Sequence, residues 1–389
     1  MKSYLYSLLF CICLVSFIAS PSTNANQQSN IPGKTKDNCR VSIIKDSVPI
    51  AIPANSRNEY HVTSLYKNRY LYGVNLFDPY KIDVIDLTDA IVKKQIIIDK
   101  NLFNTYQVSN LFVKSADSII FLSDKTPTIF LTNGEGKLIK KWTRTDVDIP
   151  ASLDKKLSSI GFGFATSSFL ENPYIDPASG YLYVKINAIG YHDDFGDIDV
   201  KRHGVYDLKN KKWISLFGSY EGVLKEKKDG RYFYDMHEPY QIKVEDKIYI
   251  SYPIDNNVYC YDIKNYNLVQ TIDCSFEGVE EFPKPLYGKK ISDNALQKMR
   301  SNTPFYGPLN YHTAVGIFSR FYLHKGEEGK RSLIIYDKDF KVLFVCKYDI
   351  SWFYKVIPTD TGFIVLPNDE ATKMDPDHLN IKILKIKLN

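Results

Sequence analysis

Four places in the sequence set an aromatic ring beside a polar or titratable neighbour: Tyr60-His61, Asn172-Pro173-Tyr174, Glu238-Pro239-Tyr240 and Tyr311-His312. Such pairs suit recognition of a carbohydrate, a peptide or another small polar ligand, because the ring supplies contact area and the polar tip supplies direction. The candidate ligand-binding residues are therefore His61, Tyr174, Glu238, Tyr240, Tyr311 and His312. The competing reading is packing between sheets, with Tyr filling gaps and His capping a strand end. Glu238 with Asp176 or Glu171 supplies two carboxylates, as glycoside cleavage requires, but that chemistry depends on a separation that sequence does not give.

Other motifs point away from catalysis. The run His192-Asp193-Asp194-Phe195-Gly196-Asp197-Ile198-Asp199 offers the oxygen ligands that calcium prefers. It lacks the spacing and closing Glu of a calcium-binding helix-loop-helix, so it reads as a solvated acidic loop. His237-Glu238 continues into Pro239-Tyr240-Gln241, without the second His of a zinc-protease helix and with a proline opposing that helix. Gly161-Phe162-Gly163 runs into Phe164-Ala165-Thr166 and does not complete a dinucleotide fingerprint, and no G-x-S-x-G elbow occurs. No metal site and no cofactor is expected.

These residues need a scaffold, and the sequence supplies a repeat. One unit recurs: a short alternating strand, a turn, a second strand often ending in Tyr-Asp, a tight polar turn and a third strand. First strands are expected at 70–75, 118–123, 181–186, 247–252, 320–325 and 362–367, and second strands at 81–87, 127–133, 203–208, 257–263, 332–338 and 381–388. Third strands follow at 92–98, 137–142, 212–217, 267–272 and 341–346. Ahead of each unit lies a further strand rich in aromatic and β-branched residues: 60–64, 106–112, a stretch ending near Ile175, 240–244, 311–317 and 353–357. Four strands per unit, repeating every ~40–75 residues, is the signature of propeller blades.

The last unit lacks its outermost strand. Arg40 to Lys45 has no unit of its own, so it is expected to complete that sheet and remove two exposed edges. The fold class is thus all-β, a six-bladed β-propeller closed by an N-terminal strand and occupying residues 39–389. The rival is a two-sheet sandwich or two smaller β domains. Antiparallel alternation puts the long segments 144–161, 187–202, 218–234, 275–307 and 368–379 on one face, where binding is expected. Ser292 is placed to cap a helix in the segment 275–307, which would cover the rim or act as a lid.

Composition agrees with an ordinary folded β protein. Hydrophobic residues make up 44% and aromatics 14% of the 389 residues, ample for a core. A formal net charge of +5, from 50 basic against 45 acidic residues, is too small to argue for nucleic acid.

Lys2, the apolar run Leu5 to Ala19 and the small residues Thr23 and Ala25 follow the order of a secretory signal cut after Ala25, leaving a polar leader at 26–38. A retained membrane anchor is the rival. Lipidation is disfavoured because Phe10 precedes Cys11 and Ile12 precedes Cys13, and no other segment could span a bilayer. After removal of the signal, Cys39, Cys260, Cys274 and Cys346 remain, with three connectivities open if all pair and free thiols as the alternative. Cys260 and Cys274 flank one hairpin but are offset by several residues, beyond disulfide reach. No C-x-x-C is present.

The runs ENPYIDPASGYLYVKI (Glu171 to Ile186), LNYHTAVGIFSRFYLHKGEEGKRSLIIYDK (Leu309 to Lys338) and the ending from Thr361-Gly362-Phe363 to Leu388 resemble the secreted Bacteroidetes-type family known as domain of unknown function 4221. The resemblance implies a propeller-like envelope protein and carries over no catalytic residue. The expected function is a non-catalytic binding or scaffold module of the cell envelope, in the periplasm or on the surface. Its partner would be a glycan, a peptide or an envelope protein, met at the axial mouth. An enzyme, hydrolase or lyase, acting on glycans or peptides at the same mouth is the second reading.

Overall fold

The computed structural model describes residues 41–53, 56, 60, 62–75, 80–99, 102, 108–123, 128–147, 174–176, 178–186, 201–226, 236, 239–286, 292, 294–295, 298–299, 302–326, 330–349, 353–367 and 377–388. The leader and the acidic loop at 192–199 lie outside them, as do Cys39, His61, Glu171 and Glu238.

The strands are β1 (Val41–Ala51), β2 (Val62–Tyr66), β3 (Tyr70–Asn75), β4 (Lys81–Asp86), β5 (Ile91–Ile97), β6 (Val108–Ser115), β7 (Ser118–Ser123), β8 (Thr128–Thr132), β9 (Leu138–Trp142), β10 (Tyr174–Ile175), β11 (Tyr181–Lys185) and β12 (His203–Asp207). They continue with β13 (Lys212–Phe217), β14 (Tyr240–Val244), β15 (Lys247–Ser251), β16 (Asn257–Asp262), β17 (Leu268–Asp273), β18 (Phe305–His312), β19 (Ile317–Leu323), β20 (Lys330–Tyr336), β21 (Val342–Asp349), β22 (Phe353–Thr359), β23 (Gly362–Pro367) and β24 (His378–Leu388). Four four-stranded sheets form in sequence order, β6–β9, β10–β13, β14–β17 and β18–β21. An eight-stranded sheet runs β2-β3-β4-β5-β1-β24-β23-β22, in which β5 and β1 meet only at Ala51 opposite Ile91. It is thus two meanders, one from each end of the chain, touching at a single bridge. The fold is all-β and propeller-like.

One turn design explains the recurring Tyr-Asp. At the end of the third strand of each sheet an Asp or Asn side chain accepts backbone N–H groups of the turn that follows: Asp86 from Thr88 at 3.0 Å, Asn133 from Glu135 at 3.0 Å, Asp207 from Lys209 at 2.9 Å, Asp262 from Lys264 at 2.7 Å and Asp337 from Asp339 at 2.9 Å. These side chains hold the hairpins rather than a ligand. Each turn ends in a left-handed residue, Ala90, Gly136, Lys211, Tyr266 or Phe340, followed by a one-residue slip between the paired strands. This is the geometry of a turn with a bulge, and it favours glycine at the left-handed position.

Ala90, with φ 55°, carries a β-carbon where none is needed. Ala90→Gly is expected to stabilise the protein by about 0.5–1 kcal/mol in urea unfolding. At the equivalent Gly136, a β-carbon would sit 2.2 Å from the Ile97 carbonyl oxygen. Gly136→Ala should therefore destabilise by ~2 kcal/mol or more in the same assay.

The core lies between consecutive sheets. Val84, Ile96 and Phe121 join the first meander to the second, Leu122, Trp142, Val184 and Tyr206 the second to the third, and Val205, Phe217, Ile248 and Tyr259 the third to the fourth. Val258, Tyr306 and Tyr336 join the fourth to the fifth, and Leu333, Phe363 and Leu384 the fifth to the last. Ile50, Tyr60, Leu71, Ile85, Ile364 and Ile381 pack the last meander onto the first. The innermost strands stand side by side, β2 against β6, β14 against β18 and β18 against β22.

The N-terminal strand does what the missing outer strand required. β1 pairs antiparallel with β24 over its whole length, from Val41 opposite Leu388 to Ala51 opposite His378. Cys260, Cys274 and Cys346 are free thiols. Cys260 lies opposite Gln270, so it and Cys274 are out of register, as their spacing indicates. The Ser292 hydroxyl accepts the Ala295 N–H at 3.3 Å, as a helix cap does.

One strand assignment needs correction. The expected inner strand 311–317 of the fifth sheet is instead β18, Phe305–His312, and Thr313 to Gly316 form its turn. Thr-Ala-Val-Gly reads as strand because of its β-branched residues, yet Gly316 adopts φ 66° and reverses the chain.

Candidate functional site at the crossover face

Each inner strand starts at the face that carries the long crossovers and ends at the face of the tight hairpins. Tyr240 opens β14, opposite Ser251 at the end of β15, and so lies at the crossover face. Tyr174 lies opposite Tyr183, in the middle of β11, with ring centroids 6.0 Å apart. Tyr311 and His312 close β18 and sit at the hairpin face, the opposite end from Tyr240. Their displacement follows from the corrected strand: a six-residue shift turns a strand start into a strand end. His61 and Glu238 lie outside the described residues.

His312 is a structural pin. Its Nδ1–H donates to the Thr359 carbonyl at 2.8 Å, so Nε2 accepts the Ser319 hydroxyl at 2.7 Å. Next to it the Thr313 hydroxyl donates to Asp360 at 2.6 Å, and Asn68 of the first meander donates to the same carboxylate. The hairpin face is thus laced from the fifth meander through the last to the first. Asp176, one member of the suggested acid pair, also belongs to this face. Its carboxylate accepts the Ser179 hydroxyl at 2.7 Å and the Ala178 N–H, which is turn work.

Around Tyr240 the structure gathers residues that motif reading passes over. Lys185 ends β11 directly opposite His203, the first residue of β12. Strand alternation points both the same way as Tyr183 and Val205, toward the fourth sheet. There His203 Nδ1 donates to Gln241 Oε1 at 2.7 Å, and Lys185 Nζ stands 5.5 Å from the Tyr240 ring centre. Arg202, just before β12, is anchored by its backbone N–H on the Gly218 carbonyl at 2.7 Å, and its guanidinium carbon lies 4.6 Å from the Tyr220 ring centre. Arg331 approaches from β20 of the fifth sheet, within electrostatic reach of the Tyr240 phenol.

Burial dominates the electrostatics. Lys185, Arg202 and Tyr240 are only 5%, 4% and 4% exposed, and His203 has no exposed surface. Burial pushes the His203 imidazole down to about 3; the Gln241 hydrogen bond opposes that shift, and Lys185 and Arg202 add to it. His203 is therefore neutral at physiological pH. Burial also pushes the Arg331 guanidinium down. The sequence signal for this site was a charged residue in the inward register of an apolar strand, as in Tyr181-Leu182-Tyr183-Val184-Lys185.

Among the described residues, no three His, Cys, Asp or Glu side chains converge as metal ligands would. No helix of the described residues is long and apolar enough to cross a membrane.

Comparison with known proteins gives the chain its family. It is similar to the solved structure of a member of the duf4221 family from Bacteroides vulgatus, at 14% identity and a TM-score of 0.66, over 90% of this chain and 99% of that one. It is also similar to a "Putative exported protein" from Bacteroides fragilis, at 12% identity and a TM-score of 0.53, over 89% of this chain and 95% of that one. At such identities the likeness is one of fold. No curated protein matches the chain. The family model described as Domain of unknown function (DUF4221) matches residues 39–343, most of the sequence, and the chain belongs to that family.

Proposed function

We propose that the protein is an exported six-bladed β-propeller that binds a ligand, without chemistry of its own, at the axial mouth of its crossover face. The observation that carries this reading is the meeting of Tyr240 and Gln241 from one sheet with Lys185 and His203 from the next, at the start of the inner strands. A six-fold ring is supported by the four separate sheets together with the two halves of the eight-stranded one, and by the apolar contact between the first and last meanders. Export is supported by the N-terminal charge, apolar core and small residues, and by the description of the Bacteroides fragilis neighbour. The partner is a glycan, a peptide or another protein of the envelope.

The test is a glycan and peptide array probed with the purified protein, repeated with Tyr240→Ala and with Tyr311→Ala. Binding that falls at least ~10-fold in the first variant and is kept in the second is the expected result, since truncating a central aromatic anchor costs about 2 kcal/mol. Binding retained by Tyr240→Ala would move the site elsewhere.

A further inference from the structure

A buried guanidinium needs acceptors, and the protein shows what a structural one looks like. Arg320 is fully buried between the fourth and fifth sheets, donates from Nη2 to the Tyr252 carbonyl at 2.7 Å and from Nε to the Gly307 carbonyl at 3.0 Å, and lies 4.0 Å from the Tyr306 ring centre; only its Nη1 is left without an acceptor. Arg202 is nearly as buried but has no such support. Its Nε is sealed from solvent without an acceptor, and no carboxylate pairs with it among the described residues. The Nε of Arg331 is sealed in the same way, on a side chain that is otherwise partly exposed. An uncompensated buried cation costs several kcal/mol, so Arg202 calls for an anion that the described residues do not provide.

Resting on the binding role proposed above, we propose that Arg202 and Arg331, with Lys185 beside them, form an anion-binding subsite around Tyr240, and that its ligand is a hydroxy-carboxylate, as in a uronate sugar or a small hydroxy acid. The carboxylate follows from the guanidiniums, whose planar donor pairs match it. The hydroxyl follows from His203. With Nδ1–H given to Gln241, Nε2 presents a bare lone pair, buried and without a donor. A ligand that brings both a negative charge and an O–H satisfies the two kinds of orphan at once. A fully ionised anion without a hydroxyl satisfies only one.

The experiment is calorimetric titration of the purified protein with D-galacturonate, glycolate, acetate, inorganic phosphate and D-galactose, with Arg202→Gln and Arg331→Gln alongside the unaltered chain. Galacturonate or glycolate should bind, acetate at least ~10-fold more weakly, and galactose not at all; each variant should lose at least ~10-fold in affinity. Galacturonate binding without glycolate binding identifies a sugar, and the reverse a small acid. Because Arg202 is uncompensated without ligand, Arg202→Gln should also keep or raise the thermal midpoint, by up to ~2–4 °C, a gain that a purely structural arginine would not give. Galactose binding that needs Tyr240 but not Arg202 would overturn this inference and leave the binding site standing. Equal binding of acetate and galacturonate would overturn the hydroxy-carboxylate, and so would phosphate binding more tightly than either hydroxy acid. If the quadruple change D193N/D194N/D197N/D199N lowers the midpoint and uncovers anion binding that the unaltered chain lacks, the acidic loop is the counter-ion and the inference fails.

Discussion

Removing residues 1–51 leaves a chain that does not fold to a soluble monomer, whereas removing residues 1–38 leaves the thermal midpoint unchanged. This is the largest effect expected of any simple change. β1 lies along all 11 of its residues against β24, and without it the backbone N–H and C=O groups on that side of β24 become an open edge. Ile50 has no exposed surface, and Val41 is buried against Leu384 and Ile386. At about 1.5–3 kcal/mol for each fully buried aliphatic side chain, the strand and the partners it covers are worth ~6–10 kcal/mol. That is comparable with the whole stability of a typical domain, about 5–15 kcal/mol. Gel filtration and circular dichroism read the outcome. A peptide spanning residues 40–52, added in trans, should restore a folded species by completing the sheet as a donated strand. A soluble, cooperatively melting chain without residues 1–51 would mean that β24 finds another partner and that β1 does not close the ring.

The closing strand was visible in the sequence because the argument for it was one of arithmetic: a last unit one strand short, and an alternating segment at the other end with nothing to pair with. The hairpins were visible for a related reason. Their Asp and Asn residues recur at a fixed place because each must bond the backbone of its own turn, and a local bond leaves a local pattern. The inner strands were harder. They are short, and β10 has only two residues, Tyr174 and Ile175. Their ends depend on which residues turn, and in the fifth sheet the turn Thr313 to Gly316 contains Thr313 and Val315, which favour strands.

That single misplacement moved Tyr311 and His312 from one face of the molecule to the other, and with them a third of the candidate site. The cations at the crossover face were hidden for a different reason. Lys185 and Arg202 flank a conspicuous acidic loop and draw no notice as a motif. Their significance lies in burial beside the aromatic rings of Tyr240 and Tyr220, which is a property of packed sheets rather than of neighbouring residues.

The second large expected effect is acid sensitivity centred on His203. An unfolded histidine titrates near 6.5, whereas burial holds folded His203 near 3. Below about pH 6.5 the unfolded chain therefore takes up a proton that the folded chain refuses, and stability falls as pH falls, by about 1.4 kcal/mol per pH unit for one such group. From pH 6.5 to 4.5 the loss from His203 is ~2.3 kcal/mol. His312, also pushed down by burial, adds to the slope in the same direction. Carboxylates such as Asp86, held well below the usual range by the Arg69 guanidinium, keep their charge throughout and do not interfere. Urea unfolding at half-unit steps between pH 7.5 and 4.5 should show this decline, and His203→Gln should remove about one proton's worth of slope. An unaltered slope in that variant would mean that folded His203 keeps its proton. With Lys185 and Arg202 already crowding the ring, that would require an anion at its side.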